Sequence, residues 1–268
     1  MTVVSLTTNL GYGNNEIGII VGAILTEAPE VKIADLTHDL SGNEVLDAAV
    51  ILNRHSSYFP PGTVHMVSII AGNEKRARPI ASKIREQYFV GPDNGFLTLL
   101  IRDAEMKNRY MKFIHINNPE FWTEEINLIN NEIINFAKVT GYLAAENDFD
   151  KLGIEIINPF LLDIPLPIRI KNGWKGAIMR VDHFGNLESN IHARLLEGKK
   201  IKGIRCCSFT TDGLVQTFGD ALKGELVAMI DSSGVVSICE VNGSAAKTLN
   251  CGVGETIEIL CDKFLSET

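Results

Sequence analysis

The hydrophobic and polar positions divide the chain into two textures. Through the first half, short β-branched runs alternate with amphipathic stretches, the pattern of parallel strands joined by crossover helices. Thr2 to Thr8 predicts a first strand, Asn14 and Asn15 open a helix running to about Ala28 that Pro29 closes, and Val31 to Leu36 predicts a second strand. A helix over 43–57 follows, with Val45, Ala48, Ala49 and Leu52 on one face. Thr63 to Ile70 is apolar except at His65 and Ser68, which predicts a central strand covered on both faces. Ala77 to Ile84 and Gln87 to Val90 predict a strand pair leading to the Pro92-Asp93-Asn94-Gly95 turn. Met111 to Ile116 predicts another strand, and Thr123 to Ala145 a long helix capped by Thr123, with Glu124 and Glu125 in its first turn.

Pro159, Pro165 and Pro167 then interrupt any regular element. Beyond them come short strands parted by Gly, Asp and Ser turns: Gly176 to Asp182, Gly203 to Phe209, Glu225 to Asp231, Val235 to Val241 and Thr256 to Cys261. The expected architecture is therefore α/β. A doubly wound, mostly parallel N-terminal domain occupies 1–158, 159–172 is a linker, and 173–268 forms a smaller antiparallel β-barrel or sandwich.

Composition narrows the function classes. A chain of 268 residues that is 45% hydrophobic can bury a sizeable core. Its net charge of −8 argues against a nucleic-acid or anionic-membrane surface and favours small-molecule partners. The longest apolar run, Ile17 to Leu25, contains Gly22 and is too short to cross a bilayer; with no basic lead at the N-terminus, the expected location is cytoplasmic. Five cysteines, at 206, 207, 239, 251 and 261, form no Cys-x-x-Cys, and the adjacent pair is awkward as a disulfide. Reduced, buried thiols and no metal are expected.

Candidate chemistry lies at strand ends. Gly11-Tyr12-Gly13-Asn14-Asn15-Glu16 begins like a dinucleotide-binding turn, but Glu16 stands where a glycine is needed, so it is read as a tight structural turn. Asn9, just past strand one, stands where open α/β sheets bind ligands; it either contacts a ligand or ties down its own turn. His38 and His65 are read as hydrogen-bonded structural residues. The run Val181-Asp182-His183-Phe184-Gly185-Asn186-Leu187-Glu188-Ser189-Asn190-Ile191 clusters a carboxylate, an aromatic and amides at one corner. A carboxylate pairs with an ammonium, a phenyl ring stacks on a purine and amides read purine edges. The alternative is a turn-stabilising Asp, a core Phe and a left-handed Asn.

This corner and four other fragments fall in a telling order. They are Leu6-Thr7-Thr8-Asn9-Leu10-Gly11, Asp35-Leu36-Thr37-His38-Asp39, Tyr58-Phe59-Pro60-Pro61-Gly62-Thr63-Val64-His65 and Gly91-Pro92-Asp93-Asn94-Gly95. Together they resemble the S-adenosyl-L-methionine (SAM) hydroxide adenosyltransferases, relatives of fluorinase and chlorinase enzymes, over nearly the whole chain. The resemblance implies that Asn9 stands where that family has an aspartate accepting from the ribose diol. It implies that Asp182, Phe184 and Asn186 contact the methionine amine and the adenine, that Ser232 contacts the amino-acid end, and that Glu240 to Ala246, including Asn242, form the adenine-edge loop. Glu188 stands where family members often carry an aromatic.

The groups that activate water read differently. By the resemblance, the family aspartate falls on Ile70, its arginine on Ala77 or, with a one-residue slip, Arg76 or Arg78, and its histidine on Asn131. Neither Ile nor Asn can take a proton from water. The expectation is a protein that binds an adenosyl or nucleoside ligand with impaired or absent SAM hydrolysis. One alternative is an active hydrolase forming adenosine and L-methionine through substitutes such as Glu74, Lys75, Arg76 or Arg78, or through Glu124, Glu125 or Glu132 if the helix register slips. Another is a non-catalytic assembly protein with a changed ligand. No cofactor beyond SAM or adenosine is implied, and the resemblance implies a homotrimer whose sites lie between subunits.

Overall fold

The computed structural model describes residues 2–40, 44–69, 77–122 and 129–262. In chain order, the first part forms β1 (Val3–Thr8), α1 (Glu16–Glu27), β2 (Lys32–Thr37), α2 (Glu44–His55), β3 (Val64–Ser68), β4 (Pro79–Ile84) and β5 (Gln87–Pro92). It continues with α3 (Thr98–Met106), β6 (Met111–Ile116), α4 (Ile129–Ala144) and β7 (Gly153–Ile156). The second part forms β8 (Ile168–Ile170), β9 (Gly173–Val181), β10 (Leu187–His192), β11 (Ile201–Cys206), β12 (Phe209–Thr211), β13 (Leu226–Ile230), β14 (Val235–Glu240), α5 (Ala245–Leu249) and β15 (Thr256–Cys261). Contacts divide the chain into two compact units that part between Leu162 and Asp163.

The first unit is built on a seven-stranded sheet of order β2-β1-β3-β5-β4-β6-β7. It is parallel from β2 through β5, and antiparallel where the β4–β5 hairpin, β6 and β7 extend it. Strand alternation splits its apolar residues between two helical layers. Val64 and Met66 of β3 join Ile20 and Ile24 of α1 and Phe136 and Ala137 of α4 on one face. Val67 and Ile69 join Ala48 and Leu52 of α2 and Leu100 and Ile101 of α3 on the other. All five residues of β3 are buried, as a strand covered on both faces requires. At Gly141 the helices α1 and α4 come so close that a Cβ would stand 2.7 Å from Glu27 Cβ and 2.8 Å from the Ile24 carbonyl oxygen.

Because β1 lies between β2 and β3, the chain leaves β1 in one direction through α1 and returns across it through α2. The carboxyl end of β1 is therefore a topological switch point, where such sheets open a crevice. The cap proposed at Thr123, with Glu124 and Glu125, lies outside the described residues. The sequence reading also passed over α3, β7 and β10.

The second unit is a nearly closed antiparallel sheet of order β12-β11-β15-β9-β10-β14-β13, with β8 added against β9. Long β9 serves both halves: Gly173 to Ala177 pair with β15, and Ile178 to Val181 with β10. The edges β12 and β13 approach each other at the remaining seam. Ile178, Leu187, Ile204, Val236, Ile238, Ile257 and Ile259 fill the interior.

The cysteines correct the expectation of five reduced thiols. Cys207 and Cys251 form a disulfide with Cα atoms 6.4 Å apart, while Cys206, Cys239 and Cys261 are buried and free. Neighbours along a strand normally point to opposite faces. Here Cys207 leaves β11 with φ of 51°, which turns its side chain toward the same partner that Cys206 approaches; the Cys206 and Cys251 sulfurs are 3.8 Å apart.

Candidate functional site

In the first unit, candidate groups gather around the carboxyl end of β1. Asn9 follows the last strand residue, and its Nδ2 donates to Glu44 Oε2 at 2.7 Å, joining the end of β1 to the first residue of α2. A carboxylate only accepts, so the Asn9 amide must turn its NH2 toward Glu44. Thr8 Oγ1 and His38 Nδ1 share a 2.9 Å hydrogen bond, and Gly11 N donates to the His38 carbonyl at 2.7 Å. His38 is 1% exposed, packs edge-on against Tyr12, and has Nε2 3.1 Å from Asp35 Oδ1 without hydrogen-bond alignment. It is a structural residue that ties the ends of β1 and β2 together. Gly11 takes φ of 79°, as the tight-turn reading requires.

Two of the proposed water-activating positions, Ile70 and Arg76, lie outside the described residues. Ala77 offers only a methyl group. Arg78 is committed elsewhere: Nε donates to Asp93 Oδ2 at 2.6 Å, and Nη2 donates to the Asn158 carbonyl. Asp93, whose side chain is 5% exposed, completes the knot by accepting from Phe160 N at 2.8 Å. Asn131 falls in the first turn of α4, its side chain outside the described part.

His65 sits one strand away with no exposed surface, stacked on Phe89 at 4.8 Å and edge-on to Phe59 at 5.2 Å. It shares a 2.6 Å hydrogen bond with Ser5 Oγ through Nδ1, while Nε2 has no partner among the described residues. Burial pushes its imidazole down to about 4; Gln87 opposes that shift without closing a hydrogen bond to Nε2.

In the second unit, the Asp182 corner is a closed knot. Asp182 Oδ1 accepts from the backbone N–H of Phe184 and Asn186 at 2.9 and 2.8 Å, and Oδ2 accepts from Asn186 Nδ2 at 2.8 Å. The turn needs φ of 88° at Gly185, and a Cβ there would overlap the Ser244 side chain. Ala246 N donates to the Gly185 carbonyl at 2.9 Å, so this corner and the loop after β14 are clasped together. Phe184 is left 65% exposed, its ring beside that of His183, as an aromatic platform at the rim of a rigid turn.

The other predicted residues surround this corner or lie further along the same strand. Glu188 is 7% exposed and pairs with Arg180 at 3.0 Å, so it is held inside the sheet. Glu240 Oε2 accepts from Thr248 Oγ1 at 2.6 Å, and Asn242 takes a left-handed φ of 57°. Ser232 is exposed at the opposite end of β14. Beside it, Asp231 accepts from Ser233 N and Ser233 Oγ at 2.8 and 2.5 Å and from Ser237 Oγ at 2.6 Å. The three carboxylates converge electrostatically on one buried thiol. Burial first, then Asp182, Asp231 and Glu188, push Cys239 up to about 12.

Sequence reasoning missed Glu44, whose only local signal was an acid in the first turn of a predicted helix. It also missed the Ser244 contact that closes the Gly185 turn. Among the described residues, no helix is long and apolar enough to cross a membrane. Among the described residues, Cys206, Cys207 and Cys251 have ligand atoms close enough together to hold a metal, and two of them are consumed by the disulfide.

The sequence model of the SAM hydroxide adenosyltransferase N-terminal domain matches residues 4–153, and that of the corresponding C-terminal domain matches residues 176–258. The (R)-S-adenosyl-L-methionine hydrolase of Salinispora tropica is 26% identical over 260 residues, covering 96% of this chain and 97% of its own. The fluorinase of Nocardia brasiliensis is 23% identical, covering 96% of each. Among solved structures, an uncharacterized conserved protein from Thermotoga maritima superposes with a TM-score of 0.82 at 28% identity, covering 96% of this chain and 99% of its own.

Proposed function

We propose, from the premise that the chain belongs to the SAM hydroxide adenosyltransferase family, that it binds an adenosyl or nucleoside ligand and hydrolyses SAM poorly or not at all. Support for binding comes from the Asp182–Asn186 corner, preorganised by three hydrogen bonds onto one carboxylate and carrying an exposed aromatic ring. Asp182, Phe184 and Asn186 would meet the ligand there, with Glu240 and Asn242 on the adjoining loop and Ser232 toward an amino-acid end. Asn9 would meet the sugar.

The observation that carries the impaired half of the reading is Arg78. A guanidinium paired with buried Asp93 and the Asn158 carbonyl is spent on structure, and orienting hydroxide from that position would require breaking the pair. Ile70, Ala77 and Asn131, at the remaining family positions, carry side chains that cannot take a proton from water. The proposal includes assembly as a homotrimer with the ligand between subunits.

A second reading, an active SAM hydrolase, is supported by relatives that carry that name across 96% of this chain. Calorimetry with adenosine and with SAM, paired with chromatographic detection of adenosine at high protein concentration, separates the two. Heat of binding with adenosine formation no faster than the spontaneous rate fits the proposal. Multiple turnovers overturn it in favour of the hydrolase.

A further inference from the structure

We infer that Cys206, Cys207 and Cys251 form a redox-gated site for a thiophilic cation, Zn2+, which becomes available when the Cys207–Cys251 disulfide is reduced. The sulfurs of the three residues lie within 4.8 Å of one another. A crosslink needs only two cysteines, yet the sulfur of Cys206 stands 3.8 Å from Cys251 Sγ, outside the disulfide. Two thiolates on a tetrahedral Zn2+, each about 2.3 Å from the metal, stand about 3.8 Å apart. The Cys206–Cys251 pair therefore already has the spacing of one edge of such a site.

The cluster is assembled from two turns of the second unit. Cys206 ends β11, paired with Phe209 of β12 on one side and Ile257 of β15 on the other. Cys207 begins the short turn between β11 and β12, and its left-handed φ of 51° brings its side chain round to the partner that Cys206 approaches. Cys251 follows α5, where Asn250 caps the helix with φ of 48° and Cys251 N donates to the Ala246 carbonyl at 3.0 Å. Strand pairing and a helix cap thus bring the three sulfurs together, so their convergence does not depend on the S–S bond alone. Cys206 and Cys251 are buried and Cys207 is exposed, which gives a reductant and a cation the same point of entry.

Loading proceeds in two balanced steps. A dithiol reductant gives two electrons and two protons to the disulfide, which breaks its S–S bond, and the reductant itself becomes a disulfide. Zn2+ then displaces one proton from each of the three thiols, three S–Zn bonds form, and water completes the tetrahedron. Three thiolates leave one net negative charge on the site, which the exposed edge at Cys207 keeps in contact with solvent. Soft sulfur ligands favour Zn2+ over hard cations such as Mg2+ and Ca2+. Reoxidation removes two of the three ligands and releases the metal.

The experiment titrates Zn2+ into the full chain, reduced with a phosphine and desalted without oxygen, in competition with a chromophoric chelator. One Zn2+ per chain is expected, bound at least about 100-fold more tightly than by the oxidised protein. Cys206→Ser separates the site from the crosslink, because both disulfide cysteines remain. Oxidised, that variant should still melt cooperatively; reduced, it should bind Zn2+ at least about 10-fold more weakly than wild type. Cys239→Ser and Cys261→Ser should bind it as wild type does. X-ray absorption of the Zn2+-loaded wild-type protein, which needs no variant to fold, should count three sulfur neighbours at about 2.3 Å. Reduced protein that binds no Zn2+, a metal with fewer than three sulfur neighbours, or undiminished affinity in Cys206→Ser overturns the site and leaves Cys206 a core thiol beside a structural disulfide.

Discussion

Acidification should destabilise the first unit through one residue, His65, in a window set by its burial. The imidazole has no exposed surface, lies between Phe59 and Phe89, and is held down to about 4 against an ordinary 6.5. The folded pKa is the lower of the two, so the unfolded chain takes up the proton first. Stability is complete above pH 6.5, declines as pH falls from 6.5 toward 4, and levels off below 4. A difference of 6.5 − 4 units at about 1.4 kcal/mol each gives a loss of roughly 3 kcal/mol across that window. Carboxylates also titrate at the acid end, so the wild-type curve alone would mix causes. The isolating perturbation is His65→Gln, which keeps a polar group near Ser5 but cannot be protonated. Urea unfolding of both proteins at several pH values between 7 and 4 yields the difference in stability, in which shared carboxylates cancel. That difference should shift by roughly 3 kcal/mol in favour of the variant as pH falls from 7 to 4. A difference that stays flat over this range would refute the reasoning, as would an NMR titration placing the His65 ring transition near pH 6.5.

Three further outcomes follow from the packing. Removing the disulfide with Cys207→Ser should cost roughly 4 kcal/mol, the chain-entropy value for the 44-residue separation it closes, and should abolish the effect of a reductant on the denaturation midpoint. Gly185→Ala must place a side chain at φ of 88° against Ser244; it should destabilise the second unit by about 1–3 kcal/mol in thermal melts and weaken adenosine binding in calorimetry. Arg78→Ala strands the buried Asp93 carboxylate and should lower stability by roughly 3 kcal/mol in urea titrations, with adenosine affinity within about threefold of wild type. A large loss of affinity without a loss of stability would place Arg78 in the site instead.

What was legible in the sequence follows physical periodicity. Apolar patterning and Gly or Pro punctuation located β1, β2, β3 and β15 to within about two residues; continuous burial marks β3, and period-two alternation marks β15. The same logic failed at β10, where Glu188, Ser189 and Asn190 look like a loop. They occupy a strand because Glu188 finds Arg180 across the sheet, Asn190 Oδ1 accepts from Ala177 N, and Ser189 is wholly buried. Helix α3 was overlooked because its apolar signal, Leu100, Ile101 and Ala104, is short and follows a strong turn.

The candidate site divides along the same line. The Asp182 corner could be read as a unit because its hydrogen bonds span no more than four residues, so composition and geometry coincide. The Cys207–Cys251 bridge, the Arg78–Asp93 pair and the Asn9–Glu44 contact span 44, 15 and 35 residues, and each depends on where the sheet brings distant ends together. These long-range pairings decide which side chains are tied into the scaffold. One ties the Arg78 guanidinium to Asp93, and another turns the Asn9 amide toward Glu44. An amide at a strand end takes its orientation from the partner that the topology brings to it, and at the carboxyl end of β1 that partner is Glu44.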